Sequence, residues 1–371
     1  MRSTSKMSTS TRREFLAACA AGLVTAGTLP SAWDVQAPPV REFRRGGMVY
    51  RRLGKTGMDV SLLSFGSHTD PGDRLPAGPE KTVLTPQGQV RRDRIIAHAF
   101  DLGVNLLDVY ATEGQWEPAV KLVHGRRDKI LISLAHDITP KDIDQAAKFF
   151  GYVDLYRFCA QEIDQPTLEN WDLLRKAKEA GKIRAIGIST HVERTMTVAL
   201  DELEGIDFII FPYNFIHARA DYSQFLPRAL SSGIGLIAMK PLASGSIMKL
   251  DPRARPGAKP EFEDLQLWQR VNKPILPAAV AELTESLNRL PDETLCMAAM
   301  RFVYSRPFLD SAVTGMFEDR LLEDNYKALT RYREMRAEEQ SALDQARHLA
   351  SLRGADWLRP GYRWLEEQWR G

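Results

Sequence analysis

The chain has 371 residues, 44% hydrophobic and 26% charged, enough apolar material for one large domain or two smaller ones with a substantial core. Fifty Lys and Arg against 48 Asp and Glu give a formal net charge of +2, and the body has no basic block of the kind that grips phosphate backbones, which argues against nucleic acid as a partner. Cys19, Cys159 and Cys296 are widely spaced and form no C-x-x-C pair, so no metal knuckle or redox couple is expected. Cys159 and Cys296 read as buried free thiols, with a disulfide between them as the alternative in an exported protein.

Residues 1–37 read as a leader. Basic Arg2 and Lys6 precede T-R-R-E-F-L at Thr11–Leu16, followed by an apolar, small-residue run from Leu16 to Ala26. That order is the one of a secretory signal, and Arg12-Arg13 followed by Phe15-Leu16 resembles the twin-arginine type, which implies the twin-arginine export machinery as a partner and a periplasmic or extracellular destination. The apolar run is too short for an ordinary membrane span, and cleavage is expected after Ala32 or Ala37. Losing residues 1–37 removes Arg2, Lys6, Arg12 and Arg13 against Glu14 and Asp34, leaving a mature chain with no net charge.

From Met48 onward, short apolar or β-branched runs alternate with segments of helical period, the pattern of repeated βα units and a parallel sheet. The expected strands are Leu62–Phe65, Val104–Leu107, Ile130–Leu134, Val153–Phe158, Ala185–Ile188, Phe208–Phe211, Gly235–Met239 and Ser311–Val313. Helices are expected from Asp93 to a stop at Gly103, and over Leu168–Ala180 before Gly181. Eight such strands favour a closed (βα)8 barrel over an open doubly wound sheet, because no G-x-G-x-x-G follows any of them. The barrel is assigned to residues 48–330 and a helical, aromatic extension to 331–371.

Two long stretches, Thr69–Val90 after the first strand and Ala243–Pro277 after the seventh, would border the C-terminal mouth as lids or substrate walls, or decorate the surface. The tail after Asn325 reads as helical to about Leu352, and Trp357, Trp364 and Trp369 beyond it are expected to pack it onto the barrel.

The segments Y-R-R-L-G-K-T-G-M-D-V-S-L-L-S-F-G-S (Tyr50–Ser67), G-V-N-L-L-D (Gly103–Asp108), V-D-L-Y (Val153–Tyr156), G-K-I-R-A-I-G-I-S (Gly181–Ser189), P-Y-N (Pro212–Asn214) and K-P-L-A-S-G (Lys240–Gly245), with a V-T-G…E-D-N pattern ending at Asn325, resemble the aldo-keto reductases. The resemblance implies a TIM barrel that transfers hydride between NADP or NAD and a small carbonyl or alcohol substrate. In that family a Tyr, its pKa lowered by a Lys that an Asp holds, donates the proton, and a His polarises the carbonyl.

Position by position, the Asp falls on Asp108, the Tyr on Glu113 in D-V-Y-A-T-E-G-Q-W-E, the Lys on Ala135 and the His on Cys159 in D-L-Y-R-F-C. Asp108, Glu113, nearby Tyr110 and Cys159 are therefore the candidate catalytic residues, with Glu113 or Tyr110 as an altered proton donor. For the cofactor, Ser189 and Thr190 fall on the carboxamide-binding pair, Ile210 on a lost Gln, and Tyr213 on the aromatic that stacks on nicotinamide. Lys240, Pro241, Leu242, Gly245 and Gly315 fall on the phosphate loops, and Arg320 with Asn325 on the adenosine end. Phe317 and Glu318 stand where a cation for the 2′-phosphate is common, so NAD and NADP both stay open.

Two other functions fit the altered positions: a non-catalytic barrel binding a small molecule or carbohydrate, and a metal-dependent hydrolase or lyase. The second would draw on His68, Asp108, Glu113, His136, Asp137, Cys159 and His191, although no tight H-x-H or H-x-x-E spacing occurs; in a regular strand His136 would point away from the barrel interior.

Overall fold

The computed structural model describes residues 42–78, 81–111, 114–215, 218–242, 287, 289–331 and 334–341. Its centre is a closed barrel of eight parallel strands: β4 (Leu63–Phe65), β7 (Leu106–Tyr110), β8 (Leu131–Ala135), β9 (Val153–Cys159), β10 (Ile183–Ser189), β11 (Phe208–Pro212), β12 (Gly235–Met239) and β13 (Ser311–Thr314). All eight expected strands are present, shifted by at most a few residues at their ends.

The runs are almost continuously apolar because both faces are covered, as a parallel sheet under helices requires. Outward residues such as Ile132, Tyr156, Ile186 and Leu236 join the core beneath the helices, while Leu106, Leu131, Leu155, Ala185, Phe208, Ile210 and Ile237 fill the barrel's interior. The N-terminal end is plugged by a sheet of β1 (Glu42–Arg45), β2 (Met48–Arg52) and β3 (Asp59–Ser61), from which Leu53, Met58 and Val60 enter that inner cluster. The sheet therefore includes residues ahead of Met48, from Glu42 on.

The helices are α1 (Pro86–Asp101), α2 (Trp116–Val123), α3 (Pro140–Phe150), α4 (Gln165–Glu179), α5 (Glu193–Glu202), α6 (Phe225–Ser231), α7 (Leu295–Tyr304) and α8 (Asp319–Arg331). Two begin earlier than their apolar period indicates, since Thr85-Pro86 and Asp164 followed by Pro166 supply an N-cap with proline in the first turn. Thr139 caps α3 in the same way, accepting from Asp142 N at 3.1 Å. Replacing it by Ala is expected to destabilise the protein by about 1 kcal/mol, read from the urea midpoint.

Three other expectations change. The stretch after the first barrel strand carries an antiparallel hairpin, β5 (Arg74–Gly78) with β6 (Lys81–Leu84), whose register shifts between Pro76 and Gly78. It packs over the loop after β7: a Cβ on Gly114 would lie 2.8 Å from Val83 Cγ1. The tail is not one helix, because α8 stops at Arg331 and helical structure resumes only at Ala337. That short segment is fastened to α7 by Arg301, whose guanidinium is gripped by Glu293 (2.7 and 2.9 Å) and Glu339 (2.6 and 2.9 Å), all three buried. Cys296 is buried, but Cys159 is exposed and both thiols are free. The second long stretch, the three tail tryptophans and the leader lie outside the described residues.

Candidate active site

The mouth is built from the C-terminal ends of β7 to β12. On β7, Leu106 faces inward, so the pleat turns Asp108 and Tyr110 inward as well. Asp108 is 3% exposed and fully engaged: Ser133 Oγ donates to Oδ1 at 2.8 Å and Ser67 Oγ to Oδ2 at 3.0 Å. Its main partner is Arg157, with Nη1 2.7 Å from Oδ1 and Nη2 3.0 Å from Oδ2. Arg157 Nη1 also donates to Ser133 Oγ at 2.9 Å.

Arg157 is the residue that the resemblance passes over. On β9 it lies two positions before Cys159 and two after Leu155, hence on the inward face, and its cross-strand neighbours are Ala135 and Gly187. Ala135 stands where the family's Lys belongs. The cation missing from β8 is thus supplied from β9, through space that the small neighbours leave. Alternation in D-L-Y-R-F-C is the sequence signal for it, since a charge at an inward barrel position must find a counter-charge.

Tyr110, part-buried, lies above this pair. The Arg157 Cζ is 5.2 Å from its ring centroid and His68 stacks on it at 6.1 Å. Burial pushes its phenol up to about 12, although Arg157 pulls the other way. Glu113, the alternative donor, lies outside the described residues. Cys159 Sγ sits 3.3 Å from Ser189 Oγ.

Lys240 follows β12 with φ +55°, the only left-handed residue other than glycine among the described residues. Ile237 and Met239 face the interior, so the next side chain of a regular strand would point out. Instead the Lys240 amine contacts His191 Nε2 at the mouth, while Asn214 Nδ2 holds its carbonyl at 3.0 Å. Desolvation lowers its pKa to about 7, opposed by the Cys159 thiol.

A lysine depressed on folding costs stability fully below pH 7, and the cost fades as pH rises toward 10.5, where the unfolded side chain also loses its proton. The urea midpoint of wild type relative to Lys240→Met is therefore expected to rise between pH 7 and pH 10.

The other cofactor positions divide. Ser189 is inward at the mouth, Pro241 and Leu242 are buried in the turn after β12, and Gly315 packs against His68, which a Cβ would approach at 3.3 Å. Asn325 is 1% exposed and its Nδ2 has no hydrogen-bond partner among the described residues. Arg320 is exposed and pairs with Asp324 at 3.7 Å. Gly245 lies outside the described residues.

Two expectations fail. Tyr213 is fully buried on the outer side of the sheet, stacked on Phe302 at 5.7 Å with its hydroxyl donating to Asp221 at 2.7 Å, so it presents no face to a nicotinamide. Thr190 is 1% exposed and its Oγ1 accepts from Val192 N at 3.1 Å, a turn role rather than a carboxamide one.

His136 faces α2 and α3, edge-on to Trp116 and 3.8 Å from Asp142. Among the described residues, no three His, Cys, Asp or Glu side chains converge as a metal site.

An eight-stranded parallel barrel with an inward Asp at the end of its second strand and polar groups gathered at the C-terminal mouth defines an (βα)8 enzyme-type scaffold. The sequence of residues 85–348 matches the Aldo/keto reductase family, and the chain belongs to that family.

Among its relatives, an L-glyceraldehyde 3-phosphate reductase of Escherichia coli O157:H7 is 26% identical over 346 residues, covering 83% of this chain and 94% of the relative. A probable voltage-gated potassium channel subunit beta of Arabidopsis thaliana is 26% identical over 315 residues, 76% and 91% of the two chains. Among solved structures, the holo form of an aldo-keto reductase from Bacillus halodurans superposes with TM-score 0.60 at 20% identity, covering 80% of this chain and 95% of that one. An aldo-keto reductase from Klebsiella pneumoniae in complex with NADPH gives 0.58 at 17% identity, covering 79% and 93%.

Proposed function

We propose that this chain is a nicotinamide-dependent oxidoreductase acting on a small carbonyl or alcohol, in which Tyr110 donates the proton and Arg157, held by Asp108, replaces the family's lysine. The observation that carries this reading is the Asp108–Arg157–Tyr110 set at the mouth, with both carboxylate oxygens of Asp108 on the guanidinium. As a carbonyl is reduced, negative charge builds on its oxygen. The Tyr110 O–H hands over its proton there, and the phenolate left behind lies against the guanidinium. With its pKa about 12, the phenol stays protonated at neutral pH, which favours reduction over oxidation.

The residues present fit a dinucleotide best at its adenosine end, where the buried Asn325 Nδ2, with no hydrogen-bond partner among the described residues, could donate to it. Asn325, Gly315, the Lys240–Leu242 turn and Ser189 would hold the group, and bound there it would supply hydride. Expression of the mature chain followed by assays of NADPH and NADH oxidation with a panel of small aldehydes tests the reading. Turnover that falls in Asp108→Asn supports it, and no turnover with any aldehyde counts against it.

A second reading, a barrel that binds a small molecule without converting it, is favoured by the loss of the Gln position to Ile210 and by the burial of Tyr213. Turnover abolished by Asp108→Asn would rule it out.

The Arg12-Arg13 leader further supports export by the twin-arginine route. Residues 1–37 fused to a reporter are expected to carry it out of the cytoplasm, and Arg12→Lys with Arg13→Lys to retain it.

A further inference from the structure

Lys240 is anomalous in two ways that its place in a phosphate loop does not explain. Its backbone is left-handed, a conformation that strains a bulky residue and persists only where neighbours hold it. Here Asn214 Nδ2 donates to the Lys240 carbonyl at 3.0 Å. The consequence is that the amine is turned to the mouth, against His191 Nε2 and within electrostatic reach of Cys159 and His68.

We propose that Lys240 is a nucleophilic amine that captures small aldehydes or ketones at the barrel mouth as an imine. The Nζ lone pair attacks the carbonyl carbon, and the nitrogen gives up one proton as the carbonyl oxygen takes one up, giving a carbinolamine. The C–O bond then breaks, the hydroxyl leaves as water with one further proton, Nζ gives up its second proton, and a C=N bond to Nζ remains. One carbonyl and one amine give one imine and one water, with no change of oxidation state. His191, in contact with Nζ, is placed to pass the protons.

The environment suits this chemistry. At pH 7 an ordinary lysine is deprotonated in only about one molecule in three thousand, whereas desolvation brings this one to a pKa of about 7. Among the described residues, the groups facing the amine include His191 after β10, Cys159 at the end of β9 and His68 after β4. Lys240 lies at the mouth beside the exposed Cys159, where a small carbonyl entering the barrel would meet the amine. The step needs no dinucleotide, so it stands or falls separately from hydride transfer.

The test is incubation of the full-length protein with glycolaldehyde and sodium cyanoborohydride, without nicotinamide, followed by peptide mass mapping. The expected result is a reduced adduct on the Lys240 peptide forming at least tenfold faster at pH 7 than on any other lysine, with a rate that levels off above about pH 8. Lys240→Met should remove that fast adduct, and His191→Gln should slow it several-fold. Because the mapping is made on the unaltered chain, the answer does not depend on the variants folding. Labelling of Lys240 no faster than of surface lysines, or a rate that climbs only toward pH 10, overturns the proposal.

Discussion

Substituting Arg157 by Met is expected to lower the free energy of unfolding by about 3–5 kcal/mol, as loss of one member of a buried ion pair does. Asp108 is 3% exposed, and without the guanidinium it keeps only the Ser67 and Ser133 hydroxyls. Its charge would remain out of water with no cation beside it. Arg157→Lys keeps a charge but cannot span both carboxylate oxygens, so it should fall between wild type and Met. The double variant Asp108→Asn, Arg157→Met should recover part of the loss, because the stranded charge is gone. Urea unfolding of the four proteins measures this. A loss below about 1 kcal/mol in Arg157→Met would show that the pair is not the buried bridge described.

The second large effect concerns rate. Tyr110→Phe keeps the ring that stacks on His68 and lies over Arg157 but removes the hydroxyl. Loss of a positioned general acid lowers kcat by about 10²- to 10⁴-fold. KM and the unfolding midpoint should scarcely move, which separates a chemical role from a packing one. Since the Tyr110 phenol titrates at about 12, its ionisation should leave no inflection in the wild-type reduction rate between pH 7 and pH 10. Equal kcat in Tyr110→Phe would move the proton donor elsewhere, with Glu113 the next residue to test.

Much of the scaffold can be read from the chain because parallel barrel strands are buried on both faces and so appear as short apolar runs separated by helical periods. Helix starts were harder where polar residues cover the first turns, as at Thr85-Pro86, and there the cap chemistry is the better guide. The β5–β6 hairpin is obscured by Pro76 and Gly78, which weaken any strand signal and coincide with its register shift.

At the site, sequence position could be aligned with the family even where residue type had changed, but side-chain direction could not. Asp108 is inward as the pleat requires, but Tyr213 keeps the family's aromatic while facing the core beneath α7. Arg157 follows from alternation once β9 is fixed, yet it matches no family motif and so stays invisible to resemblance. The Lys240 side chain reverses direction because one residue adopts a left-handed backbone, and a lysine in sequence gives no sign of that.

The most direct test of the reductase reading is calorimetric titration of the purified protein with NADPH and with NADH. One of the two should bind at a single site, and Asn325→Ala, which removes the buried amide we assign to the adenosine end, should weaken that binding. If neither dinucleotide binds, the barrel is not a nicotinamide-dependent reductase, and Asp108 with Arg157 holds the mouth together for some other ligand.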